Sequence, residues 1–318
     1  MAKNTENKGG PRRPSKAVTK EALRPYRISA ALLRKMVRWS VTGSGVLPMP
    51  MHMLEASFRL SSAILWDFFG PEWVDYYLTY KGLIQETTYF GADEQFMLRV
   101  ITLAEMLLNL QDVAGFGAPR SLIGRGDIEA GFSELEAAKF LCWSGAKFRF
   151  NVPAYKKRSD FDLHVIFKNG IAGCAETELK PEAGQLTGTT VFRSLHHARG
   201  QLPLDFPLAI LMKLPESWLS KENSKIIDQQ IRRFLGGTET VVAVDLFATG
   251  FRLEGTVAEP IVGGVEILNN HHRFDRSLDW SLVGPTERGS TTHMRPPAWW
   301  RSIPELINTS VDPRLFRS

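Results

Sequence analysis

Cysteine is scarce in this chain, and that scarcity excludes a disulfide framework. Cys142 and Cys174 stand alone, without CxxC spacing and among apolar neighbours, which points to buried free thiols in a reducing compartment. Long apolar runs are also missing. The longest, such as Pro207 to Met212, fall far below the ~20 residues that a membrane-spanning helix needs. The amino terminus is polar and basic with no apolar stretch, so a secretory leader is not expected and a cytoplasmic location is. No GxxxxGK[ST] occurs. Gly115-Phe116-Gly117 and Gly124-Arg125-Gly126 fit neither a phosphate loop nor a dinucleotide fingerprint, so nothing points to ATP use. Thr42-Gly43-Ser44-Gly45 lacks the outer glycine of a nucleophile elbow. His196-His197 and His271-His272 are adjacent pairs whose side chains diverge on a regular element, which argues against zinc.

What remains is the composition of a globular protein. Of 318 residues, 43% are hydrophobic, 10% aromatic and 23% charged, enough for about two domains with sizeable cores. The charge is unevenly spread. Residues 1–38 hold eleven Lys and Arg against two Glu, a net of +9, which leaves the remainder at −4 when the whole chain is +5. A basic head of this kind suits a nucleic-acid-binding arm; a solvated tail that keeps the protein soluble is the competing explanation.

The pattern of the chain divides it into a disordered basic head (1–24), a helical domain (25–115), an α/β domain (116–255) and a tail of short strands with a Pro/Trp-containing stretch (256–318). In the helical part, Ser29 is placed to cap a helix carrying Leu32, Leu33 and Met36. Phe96, Val100, Leu103, Leu107 and Leu110 form one apolar stripe. The glycines between Gly115 and Gly126 mark a linker. Beyond it, Ser133 to Trp143 reads as a helix opened by a Ser133/Glu136 capping box. Strands follow over Phe148 to Val152, Phe161 to Phe167 and Ile171 to Leu179, the last two joined by a turn at Lys168-Asn169-Gly170. Val191, Leu195, Ala198 and Leu202 make a helical stripe, and Leu208 to Leu214 and Thr240 to Phe247 are buried strands flanking a helix over Ser224 to Leu235. The order is α-β-β-β-α-β-α-β, an α/β (α+β) fold with a mixed sheet.

The third strand carries the chemistry. In Ala175-Glu176-Thr177-Glu178-Leu179-Lys180, alternation puts Glu176, Glu178 and Lys180 on one face. The second strand opens Ser159-Asp160-Phe161-Asp162, and counting back from the turn pairs Asp162 with residues near 178. Several carboxylates on one sheet face repel unless a cation sits among them, and a hard divalent cation with oxygen ligands, Mg²⁺ or Mn²⁺, is the natural occupant. A lysine beside a metal-bound water can orient the attacking hydroxide and offset charge building on a phosphate. The basic stretch Lys147, Arg149, Lys156, Lys157, Arg158 suits phosphate contacts, with a solvated hairpin loop as the alternative. Arg193, His197 and Gln201 share one helix face, either against substrate or as that helix's wet side.

Asp162…Glu178-Leu179-Lys180, within that order of elements, resembles the PD-(D/E)xK nuclease superfamily, with its restriction-endonuclease-like fold, over about residues 128–215. The resemblance implies that Asp162 and Glu178 are the main metal ligands, that Glu134 (or Glu136) reaches the metal from the preceding helix, that Lys180 is the catalytic lysine and that Gln201 is a helper. Two departures stand out: no proline precedes the aspartate, which leaves Asp160 as an alternate, and Glu176 is an additional carboxylate that can take the ligand position of Glu178. The activity implied is hydrolysis of phosphodiester bonds, with DNA the expected substrate. An inactive nucleic-acid-binding module of the same fold, or a structural assembly protein, are the rival readings.

Overall fold

Apolar residues three and four apart build the first part of the chain into helices, and alternating or continuous apolar runs build most of the rest into one sheet. The computed structural model describes residues 26–42, 49–81, 92–153, 161–179, 186–254, 257–283 and 292–311; the basic head expected over 1–24 lies outside them. The chain forms two compact units, one extending to Leu108 with Ser121–Ile128 and the residues from Arg301 on, the other comprising Asn109–Arg120 and Glu129–Trp300. No helix among the described residues is long and apolar enough to cross a membrane.

The first unit contains α1 (Ala30–Thr42), α2 (Met49–Phe69), α3 (Pro71–Val74) running into a π-helical stretch (Asp75–Lys81), most of α4 (Ala92–Leu110) and α9 (Ile303–Val311). Ser29 caps α1 as expected, its hydroxyl accepting from the Leu32 N–H. Val100, Leu103, Leu107 and Leu110 are fully buried along α4. Helix α9 was not anticipated. Ser302 and Glu305 form a reciprocal capping box there, and the buried Glu105 of α4 accepts from the Ile303 N–H at 3.2 Å.

The second unit is mixed α/β. It holds most of α6 (Ile128–Trp143), then β1 (Lys147–Phe150), β2 (Leu163–Ile166), β3 (Ala172–Leu179), α7 (Gly188–Gln201), β4 (Leu208–Lys213), α8 (Lys221–Leu235), β5 (Val241–Glu254), β6 (Val257–Leu268) and β7 (Thr292–Met294). The sheet runs β1-β2-β3-β4-β5-β6-β7. β1, β2 and β3 are an antiparallel meander; β3, β4 and β5 are parallel, joined through α7 and α8; β6 and β7 return antiparallel. Helices α7 and α8 cover one face, where Val191, Leu195, Ala198 and Leu202 meet Leu208, Ile210, Met212, Val244 and Leu246. Helix α6 covers the other, with Phe140 stacked on Phe247 at 4.9 Å. Gly145, at φ 75°, ends α6: its N–H bonds to the Cys142 carbonyl and that of Ala146 to the Leu141 carbonyl, closing a Schellman motif.

Several expectations are corrected. Helix α6 begins at Ile128, so Ser133 lies inside it and Glu136 caps nothing; Glu136 instead takes the Lys213 ammonium and the Thr249 hydroxyl at 2.8 Å each. The glycine-marked linker contains a helix, α5 (Gly117–Gly124), because Pro119 is tolerated in a first turn and Ala118 and Ile123 are buried. β5 and β6 are one long hairpin rather than short separate strands. Residues 256–318 are no separate tail: β6 and β7 belong to the sheet, α9 to the helical unit.

Candidate functional site

Strand β3 outlasts β2, and this mismatch creates the site. The register pairs Leu163 with Ala175, which carries Asp162 opposite Glu176, two residues short of the partner expected near 178. β2 begins at Leu163, so the N–H of Thr177 projects past the ladder. Asp162, at the bend just before β2, takes that N–H with Oδ2 at 2.8 Å and the Thr177 hydroxyl at 2.6 Å. Asn151, just past β1, pins the same segment: its N–H donates to the Asp162 carbonyl and its Nδ2 to the Phe161 carbonyl, both at 2.8 Å, and its Oδ1 lies 3.2 Å from His164 Nε2. Neither Thr177 nor Asn151 was singled out in the sequence. The signal for Thr177 was its place between two glutamates on an alternating strand.

Parallel pairing of Glu176 with Ile210 and Glu178 with Met212 puts both glutamates on the face that α7 covers. Glu176 is 4% exposed. Burial, reinforced by Asp162, Glu134 and Glu178 and opposed by a backbone hydrogen bond from Asp162, pushes its carboxyl up to about 10, and its Oε2 has no hydrogen-bond partner among the described residues. Asp162 is raised to about 6, mainly because its carboxylate turns inward, with Glu178 adding to the shift and the two Thr177 bonds opposing it. Glu178 is held from α7, its Oε1 lying 3.0 Å from Nδ1 of His197, whose side chain is 72% exposed. Glu134, buried on α6, completes the group; Glu136 does not join it.

Of the residues expected in the site, Asp162, Glu178 and Glu134 each raise the alternate Glu176, and Glu178 raises Asp162. Lys180 and the alternate Asp160 lie outside the described residues, as do Lys156, Lys157 and Arg158. Gln201 closes α7 one turn beyond His197, and it is His197 that reaches Glu178. Lys147, Arg149 and Arg193 are exposed.

An all-carboxylate donor set suits a hard cation, and a buried oxygen without a partner among like charges is where one would be accepted. The described residues, as placed, contain no group of three or more His, Cys, Asp or Glu able to hold a metal ion. Asp162 is engaged by Thr177 and Glu178 by His197, so a ligand shell requires one of them to turn.

A second carboxyl pair lies in the same sheet. Asp245 and Glu266 face each other across β5 and β6, and Asp245 is fully buried. Burial and Glu266 raise Asp245 well above its ordinary value. Glu266, pushed up to about 7 mainly by burial, accepts from the N–H groups of Leu282 and Val283. A lone Asp within the apolar run Val241-Val242-Ala243-Val244-Asp245 was the sequence signal for it.

No protein-family model, curated protein or solved structure matches this chain.

Proposed function

We propose that this chain is a divalent-metal-dependent nuclease that hydrolyses phosphodiester bonds of DNA with a site of the PD-(D/E)xK kind. The observation that carries the reading is Glu176, a buried carboxyl with one oxygen unpartnered among the described residues, raised by the charges of Asp162, Glu134 and Glu178. A group this costly to bury in the folded state is kept where charge is to be received. The succession α6-β1-β2-β3-α7-β4 supports the reading, since it is the order that the sequence resemblance implies.

Asp162, Glu176 and Glu178 would hold the cation, with Glu134 behind them. Mg²⁺ or Mn²⁺, when bound, supplies an acidified water and a charge against the phosphate. The chain's own contribution is positioning. Thr177 fixes the Asp162 carboxylate with two hydrogen bonds, and Asn151 holds the backbone that presents it. His197 controls which way Glu178 points. Lys180, two residues after Glu178, has the role of orienting the attacking water and offsetting charge on the phosphate as the P–O bond to the leaving oxygen breaks.

A second reading, an inactive nucleic-acid-binding module, is favoured by one observation: no three ligating side chains among the described residues are yet gathered. One assay separates the two. Purified protein is incubated with plasmid, linear, branched and single-stranded DNA and with RNA, in Mg²⁺, Mn²⁺ or EDTA. The nuclease reading expects cleavage that EDTA abolishes. Binding without cleavage of any substrate supports the module instead.

A further inference from the structure

The face of the sheet that α7 shares is left open at one side. Register pairs Lys147 with Ile166, Arg149 with His164, and His164 with Cys174. Cys174 belongs to the core beneath α7 and α8, so Lys147, Arg149, His164 and Ile166 all lie on that same face, together with Glu176 and Glu178. The opposite face of these strands is closed, with Phe150, Leu163 and Val165 buried. Lys147 and Arg149 are exposed, Ile166 is 41% exposed, and β1 is an edge of the sheet. Neither cation is ion-paired to a carboxylate among the described residues.

Distance follows from sheet geometry. Arg149 and Glu176 are two strands and one side-chain row apart, about 12 Å, or roughly three to four nucleotides of duplex rise. On α7, Arg193 is exposed one turn before His197 and adds a third cation. Exposed positive charge thus stands on β1 and on α7, the helix whose His197 reaches Glu178.

Resting on the nuclease reading, we infer that the open strip of β1 and β2, marked by Lys147 and Arg149, is the surface on which the phosphate backbone of DNA lies as it enters the carboxylate cluster. Isolated lysine and arginine charges on an open strip read phosphates rather than bases, so the strip gives affinity and register without sequence preference.

The test is the salt dependence of binding in EDTA, where no cleavage intervenes, to a short DNA duplex. The double variant Lys147→Gln/Arg149→Gln is expected to lower the slope of log K against log salt by about 1.8, since each lost phosphate contact removes about 0.9. Arg149→Gln alone should remove half of that, and Lys225→Gln, exposed on α8, none. Hydrolysis of bis(p-nitrophenyl) phosphate, too small to span the strip, should be unchanged in the double variant. An unchanged slope with wild-type cleavage intact overturns the strip and leaves the nuclease reading standing. The expected slope change in a protein that cleaves nothing supports the strip and removes the nuclease reading. Equal loss of binding to poly-glutamate overturns the assignment to nucleic acid.

Discussion

Nδ1 of His197 on α7 lies 3.0 Å from Oε1 of Glu178 on β3, tying the outermost carboxylate of the cluster to a solvent-exposed helix face. That contact competes with any cation for the same oxygen. His197→Ala is expected to lower the Mn²⁺ concentration that half-saturates cleavage. Because the imidazole is largely exposed, the variant should unfold within about 1 kcal/mol of wild type. A raised metal requirement would mean that His197 helps to present Glu178 rather than restrain it.

Glu176 ties stability to pH. Its carboxyl is raised from 4.5 to about 10 by burial and by Asp162, Glu134 and Glu178, so the folded state holds a proton that the unfolded chain releases near its ordinary value. The stability this proton confers is complete in acid and is lost as pH climbs toward 10. Glu176→Gln keeps the shape without the proton, and at pH 7 it should be more stable than wild type by up to about 3 kcal/mol, while cleavage is lost. Chemical unfolding at pH 5, 7 and 9 checks this. A variant equally sensitive to pH would mean that Glu176 is not the group responsible.

Glu266, opposite Asp245, acts in the same direction over a narrower window. Glu266 is raised from 4.5 to about 7, so its share of stability is present below pH 4.5 and gone above 7. Asp245→Asn, whose amide can donate to Glu266 at every pH, should raise the melting temperature at pH 8 and leave it little changed at pH 4. Melting curves at the two pH values decide it.

Gly173 sets how closely β3 approaches its neighbours. A Cβ there would stand 2.4 Å from the Pro207 carbonyl oxygen and 2.5 Å from the Phe167 ring. Gly173→Ala should destabilise by about 1–3 kcal/mol through overpacking. A denaturant midpoint equal to wild type would show that this end of the sheet has room to relax.

Periodic burial was what the sequence displayed most clearly. The stripe Val191, Leu195, Ala198, Leu202 predicted α7, and the continuous apolar runs predicted β4 and β5, because one-sided or two-sided burial dictates the residue pattern directly. Register was harder. The turn at Asn169-Gly170 fixes the β2–β3 pairing through the Phe167 N–H to Ile171 carbonyl bond, and two residues of slip change which glutamate faces Asp162. Glu176 therefore gained importance over Glu178. The Ser133/Glu136 pair failed as a cap because Glu136 had a stronger use in the sheet, with Lys213, than at a helix end. Glu105 under α9 and Asn151 beside Asp162 depend on contacts between residues far apart in the chain, or across an intervening loop, that no local pattern announces.

If Asp162 and Glu176 form the core of a metal-dependent cleavage site, single-turnover cleavage of DNA in Mn²⁺ depends on both. Wild type, Asp162→Asn and Glu176→Gln are compared at equal DNA occupancy, with folding checked by thermal melting. The expected result is metal-dependent cleavage by wild type and a loss of about 10²–10³-fold or more in each variant, with DNA binding preserved. Wild-type cleavage matched by both variants would remove Asp162 and Glu176 from the chemistry and place it elsewhere in the chain.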